Sequence, residues 1–170
     1  MRLFCAFFSA IDALNEWLYR YVSWAIFAII VSIAYEVVAR YLFSSPSKWV
    51  FEFTYLVHGP YFLLLGAYTF QKGGHVGVDI LHARLSRRGQ AILDLITAPV
   101  FFFVCLVMLK QGWTFFWSAW EVKETLSSAW APPVWPIKFV IPVSAALLLL
   151  QGVVKYGRSI YYLVKGREGP

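Results

Sequence analysis

Apolar residues gather into four long blocks along the chain, at 21–39, 49–70, 91–109 and 135–154, and each block holds one residue of fixed charge: Glu36, Glu52, Asp94 and Lys138. Each is close to the 20 or so helical residues that cross a hydrocarbon layer of about 30 Å. None of them alternates polar and apolar side chains with period two, which excludes a barrel. A segment surrounded by lipid must pair its own backbone groups, so the blocks are predicted to be helices. The expectation is an all-α membrane protein: one domain over 1–170, with four transmembrane helices and short interfacial amphipathic helices.

The breaks between blocks carry helix-ending chemistry. Ser44-Ser45-Pro46-Ser47 separates the first two spans, with Ser47 placed to cap the second. Gly73-Gly74 closes the second span, and Ala131-Pro132-Pro133 precedes the fourth. Pro60, Pro99 and Pro142 fall inside spans, where neighbouring helices compensate the lost hydrogen bond, and Gly59-Pro60 predicts a bend.

Three further segments read as interfacial. Residues 3–18 set Leu3, Phe4, Phe7, Ile11, Leu14 and Leu18 at helical spacing, with Asp12, Asn15 and Glu16 off that stripe, as in a helix lying in the membrane surface. A signal peptide is the competing reading, weakened by a short apolar core that Asp12 follows at once. Residues 75–88 mix Val76, Val78, Ile80, Leu81 and Leu85 with polar side chains and predict a short surface helix. Residues 112–130 continue the third span outward, with Trp113, Trp117 and Trp120 on one face.

Composition agrees with the pattern. Of 170 residues, 60% are apolar and 14% charged, with a mean hydropathy of +0.64, too apolar for a water-facing surface. The net charge of +6 forms no basic face, so nucleic-acid binding is excluded. The charge sets orientation instead. Ten Lys and Arg lie on the side of the termini and the loop between spans two and three, against five on the other side, which predicts both termini in the cytoplasm. Cys5 and Cys105 stand 100 residues apart in apolar settings and make no disulfide framework or metal motif.

Charges inside lipid are the first candidates for function. Glu36 and Arg40, four apart, can pair on one helix face, as can Lys48 and Glu52, and an Arg40–Glu52 contact would join spans one and two. These charges either staple the two spans or face a partner. A sharper alternative makes Glu36 the coupling carboxylate of a small proton-driven exporter. His58, in the middle of span two, suggests a haem-bearing anchor of a redox complex, but such a bundle wants a second axial histidine, and His75 and His82 lie outside the predicted spans. Metalloprotease, phosphate-loop and nucleophile-elbow motifs are missing, and the two halves show no internal repeat. Spans so poor in polar groups predict an accessory subunit that is neither an enzyme nor a self-sufficient transporter, with no cofactor.

A family resemblance adds to this. Glu36-Val37-Val38-Ala39-Arg40-Tyr41-Leu42-Phe43, followed by Trp49 and Glu52, resembles the first-loop signature of the small permease subunit of TRAP (tripartite ATP-independent periplasmic) transporters, the DctQ type. Gly66-Ala67, then His75-Val76-Gly77-Val78-Asp79-Ile80-Leu81, and Pro133-Val134-Trp135 with Pro142, continue the likeness over roughly residues 25–155. Lys138 and Ser144 depart from the pattern. The resemblance implies a bacterial inner-membrane protein, a non-transporting scaffold in a sodium-coupled importer of organic acids such as dicarboxylates and sialic or other sugar acids. Its implied partners are a large permease subunit, held as a stable heterodimer, a periplasmic substrate-binding protein met transiently, and membrane lipid. On this reading Arg40, Trp49 and Glu52, beside Glu36 and Lys48, fix the outer corner. His75 and Asp79 fix the cytoplasmic turn, and Trp113, Trp117 and Trp120 offer a docking stripe. No residue is expected to bind substrate.

Overall fold

A computed structural model describes residues 2–72 and 85–165, and they form five helices: α1 (Arg2–Val22), α2 (Ala25–Tyr41), α3 (Val50–Gln71), α4 (Arg87–Glu121) and α5 (Trp135–Lys165). The longest, α4, has 35 residues, which at 1.5 Å each span roughly 52 Å. It therefore runs beyond the predicted third span at both ends, as the tryptophan-rich continuation to Trp120 foretold. The linker at 122–134 folds back through a Thr125–Pro133 bridge and hydrogen bonds from Leu126 N to Pro132 O (3.0 Å) and Val134 N to Glu124 O (3.0 Å). Lys123 and Ala131 take positive φ there, near 50°, to make the reversals.

Helix α5 is the hub. It packs most extensively on α4, then on α3, and it also meets α1, whereas α2 reaches the bundle through α3. The close approach of α4 and α5 rests on missing side chains. A Cβ on Gly152 would stand 2.4 Å from the Phe101 ring, and one on Gly112 would stand 2.8 Å from Ile141 and 3.2 Å from the backbone nitrogen of Pro142. Ala119 and Ala145, both buried, keep the seam narrow. At one end of the seam Phe70, Phe101 and Tyr156 close the core: the two Phe rings stack at 4.6 Å, and Tyr156 lies edge-on to Phe101 at 5.5 Å.

The first two helices depart from expectation. Helix α1 runs to Val22, and the break comes at Ser23-Trp24, where bonds of i to i−3 type (Trp24 N to Tyr21 O, Phe27 N to Trp24 O) tighten the chain and the Ser23 hydroxyl donates to Tyr19 O at 2.6 Å. The first apolar block therefore yields a helix that starts at Ala25. Helix α1 is amphipathic, and its polar side meets the bundle. Ile11 and Asn15 are buried, Asp12 and Phe8 face the bundle, and Phe7, Leu14, Trp17 and Tyr21 are exposed. Outside the bundle the medium is apolar, so the polar stripe gains by facing inward, where other polar groups meet it.

Three helical stretches, Ala6–Tyr41, Arg88–Glu121 and Trp135–Val164, are long and apolar enough to cross a membrane. Helix α3 is not among them, because Glu52, His58, Gln71 and the tyrosines at 55, 61 and 68 dilute its hydropathy. It continues through Gly59-Pro60 as one helix. The surface helix predicted at 75–88 lies mostly outside the described residues; of its last four, Leu85 and Ser86 precede α4, with Ser86 as its cap, and Arg87 and Arg88 open it.

Gly152→Val should overpack the α4–α5 seam, because the Phe101 ring it strikes is itself clamped by Phe70 and Tyr156. Overpacking of this kind costs about 1–3 kcal/mol. Thermal unfolding of the purified protein in detergent should show a lowered midpoint for Gly152→Val and a smaller loss for Gly66→Ala, whose Cβ would meet only Leu148 at 4.0 Å.

Candidate functional site

Polar side chains collect at the two ends of the bundle. At the tryptophan end, Glu36 on α2 accepts from Arg40 one turn on (Nη2 at 2.5 Å, Nε at 3.1 Å) and, with its other oxygen, from the backbone N–H (3.1 Å) and the hydroxyl of Ser47. One carboxylate thus ties the end of α2 to the chain entering α3. Ser47 is not the cap of α3: it donates to Glu36, and Trp49 holds the N-cap position with no side-chain hydrogen bond. Trp49 instead stacks on Tyr35 at 6.0 Å and meets Phe53 and Trp130 edge-on.

The expected Arg40–Glu52 contact does not form. Arg40 is engaged within its own helix, and Glu52 accepts from the hydroxyl of Ser128 at 2.7 Å, in the linker between α4 and α5. Ser128 in turn accepts from Ala131 N at 3.0 Å, which holds the reversal at Ala131. Lys48 is exposed, and no ion pair to Glu52 occurs among the described residues. Lys138, an isolated charge in the sequence, donates to Glu124 at 2.5 Å and lies 3.9 Å over the Phe115 ring. Of the tryptophan stripe, Trp113 and Trp117 face outward, with Trp117 Nε1 donating to Glu121 at 2.8 Å. Trp120 turns edge-on to Trp135 at 4.5 Å, with Lys123 over its ring.

At the tyrosine end, Gln151 on α5 accepts from Asn15 Nδ2 at 2.6 Å and donates to Asp12 Oδ1 at 2.9 Å, and Arg158 donates to Asp12 Oδ2 at 2.8 Å. Asn15 and Gln151 are almost fully buried. Asp94 on α4 accepts from Ser159 at 3.0 Å and stands 4.0 Å from Lys155 Nζ, so it is drawn toward α5. Tyr19 stacks flat on Tyr68 at 3.9 Å and locks the end of α1 to α3.

His58 is not an interior side chain. It is exposed on α3, beside the rings of Tyr61 and Phe62 at 6.2 and 6.5 Å. His75 and Asp79 lie outside the described residues. Among the described residues no group of three His, Cys, Asp or Glu side chains is placed to hold a metal ion.

Several of these residues were missed in the sequence. Gln151 had a signal, as the one amide in the fourth apolar block, seven residues before Arg158 on the same face. Glu124 and Ser128 had none, because the linker fold alone carries them to Lys138 and Glu52.

What the geometry provides is fixation. The single charge of every apolar block has a partner: Glu36 with Arg40 and Ser47, Glu52 with Ser128, Asp94 with Ser159 and Lys155, Lys138 with Glu124. Compared with protein families, residues 29–160 match the DctQ component of tripartite ATP-independent periplasmic transporters. The chain belongs to the DctQ family. No curated protein gives a match. The family match runs from within α2 to near the end of α5, close to the 25–155 suggested by the motifs; it takes in the tryptophan end and the α5 side of the tyrosine end, and it leaves α1, with Asp12 and Asn15, outside. The DctQ component is a membrane protein of a transporter assembled with a large permease and a periplasmic binding protein, and its family is not one of enzymes.

Two outcomes follow for this DctQ chain. Gln151→Leu should destabilise it by roughly 1–3 kcal/mol, since Asn15 and Asp12 both lose a buried partner. Proteolysis between α1 and α2 should accelerate in step. Glu52→Ala and Ser128→Ala should each lower the unfolding midpoint, and the double variant should lose no more than the worse single one, because both remove the same bond.

Proposed function

We propose that this chain is the non-transporting scaffold subunit of a sodium-coupled TRAP importer of organic acids, bound stably to the large permease subunit and meeting the periplasmic binding protein transiently. The observation that carries this reading is the full occupation of the charges in the apolar blocks. A path for an ion or an anionic substrate needs polar groups free to exchange partners, and Glu36, Glu52, Asp94 and Lys138 are each held by the fold. The exporter alternative asks for a free carboxylate at Glu36, yet both its oxygens are engaged. The haem alternative rests on His58 alone and gains no second ligand from the described residues.

In this reading α3 is the fourth span. Its 22 residues cover about 33 Å, and Trp49 at one end and Tyr68 with Lys72 at the other suit the headgroup level. Four spans place both termini on one side, and the ten-to-five excess of basic residues makes that side the cytoplasm of a bacterial inner membrane. Helix α1 then lies in the inner interface with Phe7, Leu14 and Trp17 toward lipid. Glu36, Arg40, Trp49 and Glu52 fix the periplasmic corner, and Trp113 and Trp117 project near the surface the binding protein visits.

The test is reconstitution. The chain co-expressed with its large subunit should co-purify with it, and liposomes holding both, with the binding protein outside, should take up substrate on a sodium gradient. Liposomes holding this chain alone should take up none, and sodium-driven uptake by the lone chain overturns the reading. Arg40→Ala and Glu52→Ala should each lower recovery of the complex or the uptake rate.

A further inference from the structure

Helices α3 and α4 touch at the tyrosine end, where Phe70 stacks on Phe101, and separate toward the tryptophan end. There they leave a groove of about 500 Å³ floored by α5, with Tyr55, His58 and Gly59 on one wall, Phe115 on the other, and Ile141 and Lys138 beneath. Along the rim, Phe51, Tyr55, His58 and Phe62 repeat at intervals of four, three and four residues, the spacing of a seam between paired helices. All four are exposed, the Phe51 side by 85% and Tyr55 and Phe62 by 71% each.

We infer that this rim and groove seat a transmembrane helix of the large permease subunit, an assignment that rests on the proposed function and names the face it uses. The chemistry of His58 decides between occupants. It sits nine residues into the span from Trp49, about 13 Å below the interface at 1.5 Å per residue. Headgroups do not reach that depth, and an imidazole there needs a hydrogen-bonding partner that its ring neighbours Tyr61 and Phe62 do not supply. An acyl chain offers no such group. A helix bearing a hydroxyl, amide or carboxylate side chain opposite His58 does, and the Tyr55 hydroxyl widens the same demand. Gly59 supplies the room: a Cβ built on it meets nothing within 4 Å, so another backbone can close on α3 at this level. At the mouth, Glu124 is 41% exposed while its partner Lys138 is 16% exposed, which leaves acceptor capacity turned outward for a donor on the incoming helix. A second copy meeting this face about a two-fold axis sets an aromatic ridge against the same ridge and leaves the groove unfilled.

The experiment uses the full complex with a photo-reactive benzoylphenylalanine replacing Phe51 or Phe62, against control positions Ile96 and Phe103, exposed on α4. Phe51 and Phe62 should crosslink to the large subunit, with yields about tenfold above the controls, the scale of a 1.4 kcal/mol preference. Gly59→Trp, which fills the gap, should cut the large subunit recovered by a similar factor, while Gly59→Ala keeps it and both variants elute alone as the unsubstituted chain does. A product of twice this chain's mass overturns the assignment in favour of a second copy, and adducts with lipid only overturn it in favour of an acyl chain. Crosslinks from Ile96 and Phe103 without any from α3 overturn it while leaving the scaffold reading standing. If the unsubstituted chain recovers no large subunit, the scaffold reading itself falls.

Discussion

Helix α5 touches three of the other four helices, and it can do so because its side chains are graded around its circumference. The α4 side is pared to Gly152 and Ala145, so that two long helices lie almost backbone to backbone. The side toward α1 carries Gln151 and Arg158 for the polar stripe of that helix. Association in lipid draws on packing and hydrogen bonds, since water exclusion gives no push between helices already in an apolar medium. The glycine seam and the amide pair are those two sources, set on neighbouring faces of one helix.

Much of the architecture was legible because lipid imposes a blunt rule on composition. Block length gave the helices, and the Ser/Pro and Pro/Pro breaks gave the joints, with errors of a few residues. The tryptophan-rich run after the third block was correctly read as continuing helix. What escaped was direction and partnership. The stripe of α1 was recognised, but not the pairing of Asp12 and Asn15 with Gln151 on α5, because amphipathicity says that two media differ and not which groups lie opposite. The Glu36–Arg40 pair expected from the four-residue spacing forms, but the further contact of Arg40 with Glu52 does not, and Ser128, 76 residues from Glu52, took that role through a linker whose shape has no periodic signature. His58, singled out as a haem-ligand candidate in the middle of a span, lies exposed, since α3 has one side on α5 and another open.

The two ends solve one problem differently. At the tryptophan end most of the charge pairing is local or one loop away, and aromatic rings shield it: Trp49 by Tyr35 and Trp130, Lys123 and Lys138 over indole and phenyl faces. At the tyrosine end the pairing is long-range and joins α1, α4 and α5. The first arrangement shapes a rim on a frame already built, and the second holds the frame together. A membrane component of a transporter has use for both.

Helix α1 has a consequence in time as well as space. Its buried contacts reach residues 136 to 146 positions later in the chain, on the last helix to leave the ribosome. At 5–20 residues per second, that interval is on the order of ten seconds. Until α5 is made, Asp12 and Asn15 lack Gln151 and Arg158, the partners that hold them in the folded chain. The helix made first is thus fastened only after α5 is in place.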